Sequence, residues 1–300
     1  MASRRAKLGR ASAAVLVAAA VVGVAAGVPV LVVPDREPAT PPSAPPAFDP
    51  ASIAPEPIPA TGTVDASADG DGTLVLIDRS HGQRIDRDDL SPLVGALVRA
   101  GARVETVTDP RGLEERLAAA DALVVADPAV PYGPAQLDAV ESFVDDGGRL
   151  LVAAEPTRRG AGAFGSTRRS RVTALASRFG VAFGTGYLYN MAPADTDATF
   201  KNVLVTAADD RAESPAAGVE RGAVYTAAPV WTVDGRTLLE TRNGTHLSTA
   251  EGTGTYPVAA LAADGDVLAV GDTSLFGGEY HAVADNEVFV AGVADFLLGA

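Results

Sequence analysis

The chain has 300 residues, a net charge of -14 and no cysteine. Residues 1–33 hold four basic and no acidic side chains, so the remaining residues carry -18. This charge argues against a nucleic-acid partner, because phosphate neutralisation needs clustered Lys and Arg. The absence of cysteine excludes disulfides, thiolate metal sites and a cysteine nucleophile.

The N-terminus has the pattern of a membrane anchor. Residues 1–10 form a basic cytoplasmic tail, and Ala11–Val33 contains no charged side chain. A bilayer core of about 30 Å needs about 20 apolar residues, whereas the apolar part of a signal peptide has about 7 to 15. The basic flank predicts a single-pass protein of the cell membrane with an extracellular C-terminal domain. The alternative is a secreted protein cleaved near Ala25–Gly27.

Residues 34–72 are predicted to form a disordered linker. Ten prolines lie between Pro34 and Pro59. Proline favours extended polyproline II structure at about 3.1 Å per residue, so this segment would act as a semi-rigid stalk above the membrane.

Residues 73–300 alternate short buried strands with amphipathic helices, which predicts a doubly wound, flavodoxin-like α/β domain with a mostly parallel sheet. The predicted strands of this part are Thr73–Ile77, Arg103–Val107, Ala122–Ala126, Arg149–Ala154 and Asp266–Val270. The predicted helices are Asp89–Ala100, Gly112–Ala119, Pro134–Asp146, Ser170–Phe179 and Asn286–Leu298. Between them, residues of about 200–262 are rich in β patterns, and we expect them to form an insertion.

Four segments in this order resemble one family. They are VLIDRSHGQ, YGPAQLDAVESFVDDGGRLLVAAE, DVLAVGDTSLFGG and ADNEVFVAGVADFLL. The chain resembles an uncharacterised domain-of-unknown-function family with the class I glutamine-amidotransferase-like fold. That family is similar to auxiliary domains of gliding-motility-type ABC transporters and of intraflagellar-transport-like proteins. The acidic, lysine-poor composition resembles that of haloarchaeal proteins.

Glutaminase chemistry is excluded by the residues themselves. True glutamine amidotransferases use a cysteine nucleophile after a central strand, and this chain has none. The turn after the fourth strand, Ala154–Thr157, offers no nucleophile elbow, and no Gly-x-Ser-x-Gly motif occurs. The three histidines show no metal-binding spacing, so no metal, cofactor or catalytic residue is assigned.

Polar side chains follow the predicted strands at the edge where doubly wound sheets bind ligands. The candidate ligand-binding residues are Asp78, His81, Gln83, Glu155 and Asp272. The structural alternative is that the two aspartates cap turns and that His81 holds the loop after the first strand. An arginine-rich loop follows the fourth strand, and it either grips an anion or pairs with neighbouring carboxylates; its members are Arg158, Arg159, Arg168, Arg169 and Arg171.

Two functional hypotheses remain. The favoured one is a membrane-anchored extracellular domain without catalysis, which binds a protein partner or a small polar ligand and assists a transporter. The alternative is a hydrolase of carbohydrates or other polar substrates that uses Asp78, His81 and Glu155, since catalysis needs a poised base. On either hypothesis the extracellular sequon at Asn243 is a candidate glycosylation site.

Overall fold

The computed structural model describes residues 58, 62–85, 88–159, 167–209 and 211–300. The predicted cytoplasmic tail, the predicted anchor and most of the predicted linker lie outside these residues. In the described part of the chain, no helix is long and apolar enough to cross a membrane.

The described residues form a mixed α/β fold. Strands β1 to β8 are Leu74–Asp78, Arg103–Val107, Ala122–Ala126, Arg149–Ala153, Arg158–Arg159, Thr167–Arg168, Val181–Phe183 and Leu188–Tyr189. Strands β9 to β16 are Thr196–Asp197, Thr199–Ala207, Gly222–Tyr225, Val230–Thr232, Arg236–Thr241, His246–Leu247, Pro257–Ala262 and Val267–Val270. Helices α1 to α5 are Ser91–Arg99, Leu113–Leu117, Pro134–Asp145, Thr173–Arg178 and Asn286–Leu297.

A ten-stranded sheet lies at the centre, with the order β11-β10-β13-β15-β16-β4-β3-β1-β2 and with β9 paired to β10. The five strands from β16 to β2 are parallel to one another. Every residue of β1, β3 and β16 is buried. Parallel strands are covered on both faces, which explains why their sequences are nearly continuous apolar runs.

Helices cover both faces of the parallel strands. Successive residues of β1 alternate between two apolar clusters, with Val75 in one and Leu76 in the other. The first cluster includes Leu93 of α1 and Phe289 of α5. The second includes Val140 of α3, together with residues of α2 and α4. The predicted α/β architecture, with strands and helices close to the predicted bounds, is therefore confirmed.

The β-rich region, expected to be an insertion, extends the central sheet. Strands β15, β13, β10 and β11 continue the sheet beyond β16 in antiparallel pairs. A turn at Ala263–Gly265 joins β15 to β16, and Ala263 and Asp264 have left-handed φ values of 49° and 54°. Such a tight turn pairs consecutive strands directly, so the edge of β16 is covered by the chain that precedes it.

The folded unit begins before Thr73, the first residue of the predicted domain. The side chain of Val64 is buried in the main apolar cluster. The backbone N–H groups of Ser67 and Ala68 donate to Asp295 Oδ1 at 2.7 and 2.9 Å. Residues 62–70 are therefore fastened to α5, largely through backbone groups that hydrophobic periodicity does not reveal.

Candidate functional site

The carboxyl ends of the parallel strands form the candidate site. The strand order is β2-β1-β3-β4-β16, so β2 lies on one side of β1 and the later strands lie on the other side. Doubly wound sheets open a crevice for ligands at this change of side, which is between β1 and β3. Acidic residues occur at this edge at the end of β1, after β3, after β4 and after β16; they are Asp78, Asp127, Glu155 and Asp272.

Asp78 and His81 belong to a closed, buried hydrogen-bond network. His81 Nδ1 lies 2.7 Å from Asp78 Oδ2, which also accepts a hydrogen bond from the hydroxyl of Tyr132. Asp78 Oδ1 accepts from the Ser80 backbone N–H at 2.8 Å and from its hydroxyl at 2.6 Å. His81 Nε2 lies 3.2 Å from Gln136 Oε1. Both imidazole nitrogens of His81 therefore have partners inside the protein.

The network is held rigidly by its surroundings. The rings of His81 and Tyr132 stack with their centroids 3.8 Å apart. The Gln136 side chain accepts from the Gly133 backbone N–H at 2.8 Å and donates to the Pro110 carbonyl at 3.0 Å. Only 2% of His81 is exposed. The network therefore ties the loop after β1 to the start of α3.

The network also shifts the protonation of its members. Burial acts to raise the pKa of Asp78, but hydrogen bonds from His81, Ser80 and Tyr132 outweigh it and lower that pKa below 3.8. Burial acts to lower the pKa of His81, but the hydrogen bond and charge of Asp78 outweigh it and raise that pKa above 6.5. Burial and the charge of Asp78 raise the pKa of Tyr132 well above its usual value. The pair Asp78 and His81 thus favours its charged forms.

A cleft of about 480 Å³ opens beside this network, and we call it the strand-end cleft. Its polar lining consists of Arg84, Asp89, Ser91, Asp127, Glu155, Ser170, Thr273, Ser274, Glu279 and Tyr280. Of the five predicted binding residues, Glu155 lines this cleft. Asp78, His81, Gln83 and Asp272 do not line it.

Asp127 is the residue of the cleft with the least usual environment. It follows β3 directly, is 4% exposed, and has a left-handed φ of 41°. Its Oδ1 atom is buried, and hydrogen bonds to its carboxylate from the Ser170 side chain and the Glu155 backbone act to lower its pKa. Burial, with the charge of Glu155, raises its pKa above 3.8. A left-handed backbone at a non-glycine residue and a buried carboxylate are both costly, and such features concentrate at functional sites.

Glu155 of the strand-end cleft and the buried Asp272 lie close enough for their charges to interact. Glu155 Oε1 accepts hydrogen bonds from the backbone N–H and the hydroxyl of Thr273, at 2.9 and 2.8 Å. The fully buried Asp272 accepts from the backbone N–H groups of Tyr225 and Ser274, at 2.6 and 2.8 Å. Burial, with the charge of Glu155, raises the pKa of Asp272 to about 7. Asp272 therefore joins β11 to the loop after β16.

The other predicted positions are outside the strand-end cleft. The Gln83 side chain has a buried amide without a hydrogen-bond partner among the described residues. Asn243 is exposed in the turn before β14, and Gly244 follows it with a φ of 108°. Ligand binding by the five predicted residues and glycosylation of Asn243 both stay predictions.

Sequence reasoning did not select Tyr132 or Gln136. Tyr132 and Gln136 flank the Gly133-Pro134 start of α3, and Gly-Pro before an amphipathic run signals only a helix start. Asp127 did carry a usable signal, because it follows a wholly apolar strand at the ligand-binding edge. Its burial is visible only in three dimensions.

The comparisons with known proteins identify a family and a fold. A family model described as a domain of unknown function, DUF4350, matches residues 82–294. The solved structure titled mmIFT52 N-terminal domain has a TM-score of 0.59 at 15% identity, covering 76% of this chain and 98% of that one. A putative ThuA-like protein from Bacteroides uniformis has a TM-score of 0.44 at 15% identity, covering 77% and 94%. No curated protein matches the chain. At this identity the first similarity shows a shared fold alone.

Proposed function

The chain belongs to the DUF4350 family, and we propose that it is a binding domain without catalysis whose ligand occupies the strand-end cleft. The observation that carries the proposal is Asp127, a buried carboxylate with a left-handed backbone among the polar side chains that line the cleft. Burial of a charged group and a left-handed backbone at a non-glycine residue both cost stability, and such features concentrate at functional sites. This cleft lies at the edge where doubly wound sheets bind ligands.

The hydrolase alternative has less support from the same geometry. It assigns the chemistry to Asp78, His81 and Glu155, but both nitrogens of His81 are engaged inside the protein. Asp78 has four hydrogen bonds to its own surroundings and is fully buried. A general base must reach the proton that it abstracts. This pair is better suited to hold the loop after β1 than to act on a substrate.

The proposal also includes the location and the finer fold class. The uncharged segment Ala11–Val33 would anchor the chain, and the proline-rich segment after it would carry the domain on the outer side of the membrane. The strand order β2-β1-β3-β4-β16 supports a flavodoxin-like sheet of the glutamine-amidotransferase-like type. A role beside a transporter, with a protein partner or a small polar ligand, is consistent with such a tethered domain.

The experiment is a thermal-shift screen on residues 58–300 and on the full chain in detergent. Small polyols, sugars, amines, amino acids and carboxylates form the library. A ligand that binds only the folded state raises the free energy of unfolding by RT ln(1 + [L]/Kd), and it raises the unfolding midpoint accordingly. We expect at least one chemical class to stabilise the wild type.

The cleft is tested with a blocking variant. Gly278 lines the cleft, and a Cβ added there meets no atom within 4 Å, so Gly278→Leu fills cleft space without a clash at Cβ. Gly112→Leu is the matched control, because a Cβ there also meets nothing and the residue is outside the cleft. Stabilisation that persists in Gly278→Leu, or no stabilisation by any class, would contradict the proposed function.

A further inference from the structure

We infer that the chain carries a second ligand site, separate from the strand-end cleft, which binds a small hydroxylated organic anion such as a sugar acid. This site is a cleft of about 800 Å³, and we call it the hydroxyl cleft. Its walls come from the segments that follow β4, β7, β11 and β14, together with residues in or next to β6 and β10. It shares no lining residue with the strand-end cleft. The inference therefore goes beyond the proposed function.

The charged residues of the hydroxyl cleft are basic. Arg169 and Lys201 line it, and no carboxylate of a described residue does. Neither side chain forms an ion pair within the described part of the chain. The chain as a whole has 38 acidic and 24 basic side chains, so this cleft has the opposite charge to the average surface. A cleft lined by one sign of charge concentrates ligands of the opposite sign, which here are anions.

Two aromatic rings position the ammonium group of Lys201. Its Nζ atom lies 4.8 Å from the centroid of the Tyr187 ring and 5.7 Å from that of Phe200. Such contacts orient an ammonium group through the ring quadrupole and leave its net charge in place. The Lys201 side chain is half-buried, and its carbonyl accepts from the Thr226 backbone N–H at 2.9 Å. A cation that is already held in place loses less conformational entropy when it binds an anion.

Six aliphatic hydroxyls line the same cleft and favour a ligand that has hydroxyl groups itself, because a hydroxyl both donates and accepts. The Ser248 hydroxyl oxygen accepts from the Tyr187 backbone N–H at 2.9 Å, so its O–H can still donate. The other five hydroxyls have no hydrogen-bond partner among the described residues. The volume lies within the range of about 300 to 1,000 Å³ that is usual for small-molecule sites, and it exceeds what an inorganic anion needs. The six residues are Thr157, Thr167, Thr185, Thr226, Ser248 and Thr249.

The backbone around the cleft fixes the positions of these hydroxyls. Thr226 has a left-handed φ of 62°, which is unusual for a β-branched residue and is typical of binding sites. A Cβ added at Gly186 would lie 2.6 Å from Thr249 Oγ1 and 2.9 Å from Ser248 Oγ. Only glycine therefore lets both hydroxyls lie against the chain at this point. The donors of the cleft are arranged before a ligand binds, which favours affinity.

The test uses three six-carbon probes: gluconate, sorbitol and adipate. Gluconate has both a negative charge and hydroxyl groups, whereas sorbitol has only the hydroxyls and adipate only the charge. Titration calorimetry on the full chain in nonionic detergent, at fixed ionic strength, compares their binding. We expect gluconate to bind at least about tenfold more tightly than either of the others, because charge-assisted and neutral hydrogen bonds then act together. Equal or tighter binding of sorbitol or adipate, or no binding of gluconate, would overturn the inference.

Charge-removing variants locate the site. Lys201→Gln and Arg169→Gln should each weaken gluconate binding about tenfold or more, as expected for the loss of a charged hydrogen bond. Arg169 is exposed, so its replacement leaves the packing of the domain unchanged, and circular dichroism checks the fold of both variants. Arg111→Gln is the control, because it removes the same charge from an exposed position outside the cleft. Unchanged binding in both cleft variants, or equal weakening by Arg111→Gln, would refute the inference.

The blocking variant Gly278→Leu separates this inference from the proposed function. Gly278 lines the strand-end cleft and is not part of the hydroxyl cleft, so gluconate should bind Gly278→Leu as it binds the wild type. Loss of gluconate binding in this variant would place the anion in the strand-end cleft and would overturn the second site. If gluconate does not bind the wild type while a ligand from the screen is blocked by Gly278→Leu, the inference fails and the proposed function stands.

Discussion

Replacing His81 by Ala tests whether the buried network is structural. The change removes the hydrogen bond between His81 and Asp78 and the stacking of the imidazole on Tyr132. It leaves the fully buried Asp78 carboxylate with one charged partner fewer. Breaking a buried pair by removing one member costs about 3 to 5 kcal/mol in free energy of unfolding. We expect a loss in this range.

Tyr132→Phe provides a graded comparison. It removes one hydrogen bond to the Asp78 carboxylate and retains the aromatic stacking on His81. A hydrogen bond to a charged group contributes about 1.5 to 3 kcal/mol. His281→Ala is the control, because its ring is half-buried and contacts the Gly277 carbonyl at 3.1 Å. Its expected cost is about 0.5 to 1.5 kcal/mol.

The pH dependence of the stability difference between wild type and His81→Ala gives a second readout. The pKa of His81 is raised, so its contribution is present below pH 6.5 and is lost as pH rises through the folded pKa. The pKa of Asp78 is lowered, so its contribution is present above pH 3.8 and is lost as pH falls through the folded pKa. The difference between wild type and His81→Ala should therefore be greatest between pH 3.8 and 6.5.

Urea unfolding followed by circular dichroism at pH 5.5, 7 and 8.5 measures these differences. A loss below about 1 kcal/mol, or a difference that grows from pH 5.5 to pH 8.5, would refute the structural role of His81. Ligand binding in the thermal-shift screen is measured on the same samples. Loss of that binding with unchanged stability would indicate that His81 contacts the ligand.

Three further predictions concern the fold and the anchor. Gly271→Ala should destabilise the domain by about 1 to 3 kcal/mol or more, because the added Cβ would lie 1.9 Å from the Ala228 carbonyl oxygen. Gly278→Ala should leave the stability unchanged, because a Cβ there meets no atom within 4 Å. Asp295→Ala should release the segment before β1, since it removes three hydrogen bonds to that segment, and limited proteolysis should then cut there sooner than in wild type. The segment Ala11–Val33 should keep the chain in the membrane fraction with an intact mass, and a soluble form beginning near residue 28 would contradict the anchor.

Elements that follow from local patterns could be predicted from the sequence. Strand β3 and helix α3 are examples, because a buried parallel strand is an apolar run of about five residues and a covering helix repeats its apolar face every 3.6 residues. Residues typical of tight turns, and glycines at helix ends, indicate where the other strands and helices begin and end. The short strands β7, β8, β12 and β14 were missed, since two or three residues show no periodicity.

Which residues contact one another depends on the tertiary structure. Tyr132 reaches Asp78 across 54 residues, and Asp295 holds Ser67 across 228 residues. No local pattern encodes such contacts, because they arise only when the sheet brings distant loops to one edge. For this reason the sequence placed Asp78 and Glu155 together at the carboxyl edge, while the fold buried the first in a closed network and left the second in the cleft.

The sequence by itself determined the α/β class, the parallel strands, the absence of cysteine chemistry and the acidic character of the chain. These properties depend on composition and on periodicity, which are read along one dimension. Only the tertiary structure decided that β10, β11, β13 and β15 continue the same sheet, and that Asp127 is buried beside the strand-end cleft. Both depend on which polar groups find partners after the chain has packed, and that outcome is set by contacts between distant residues.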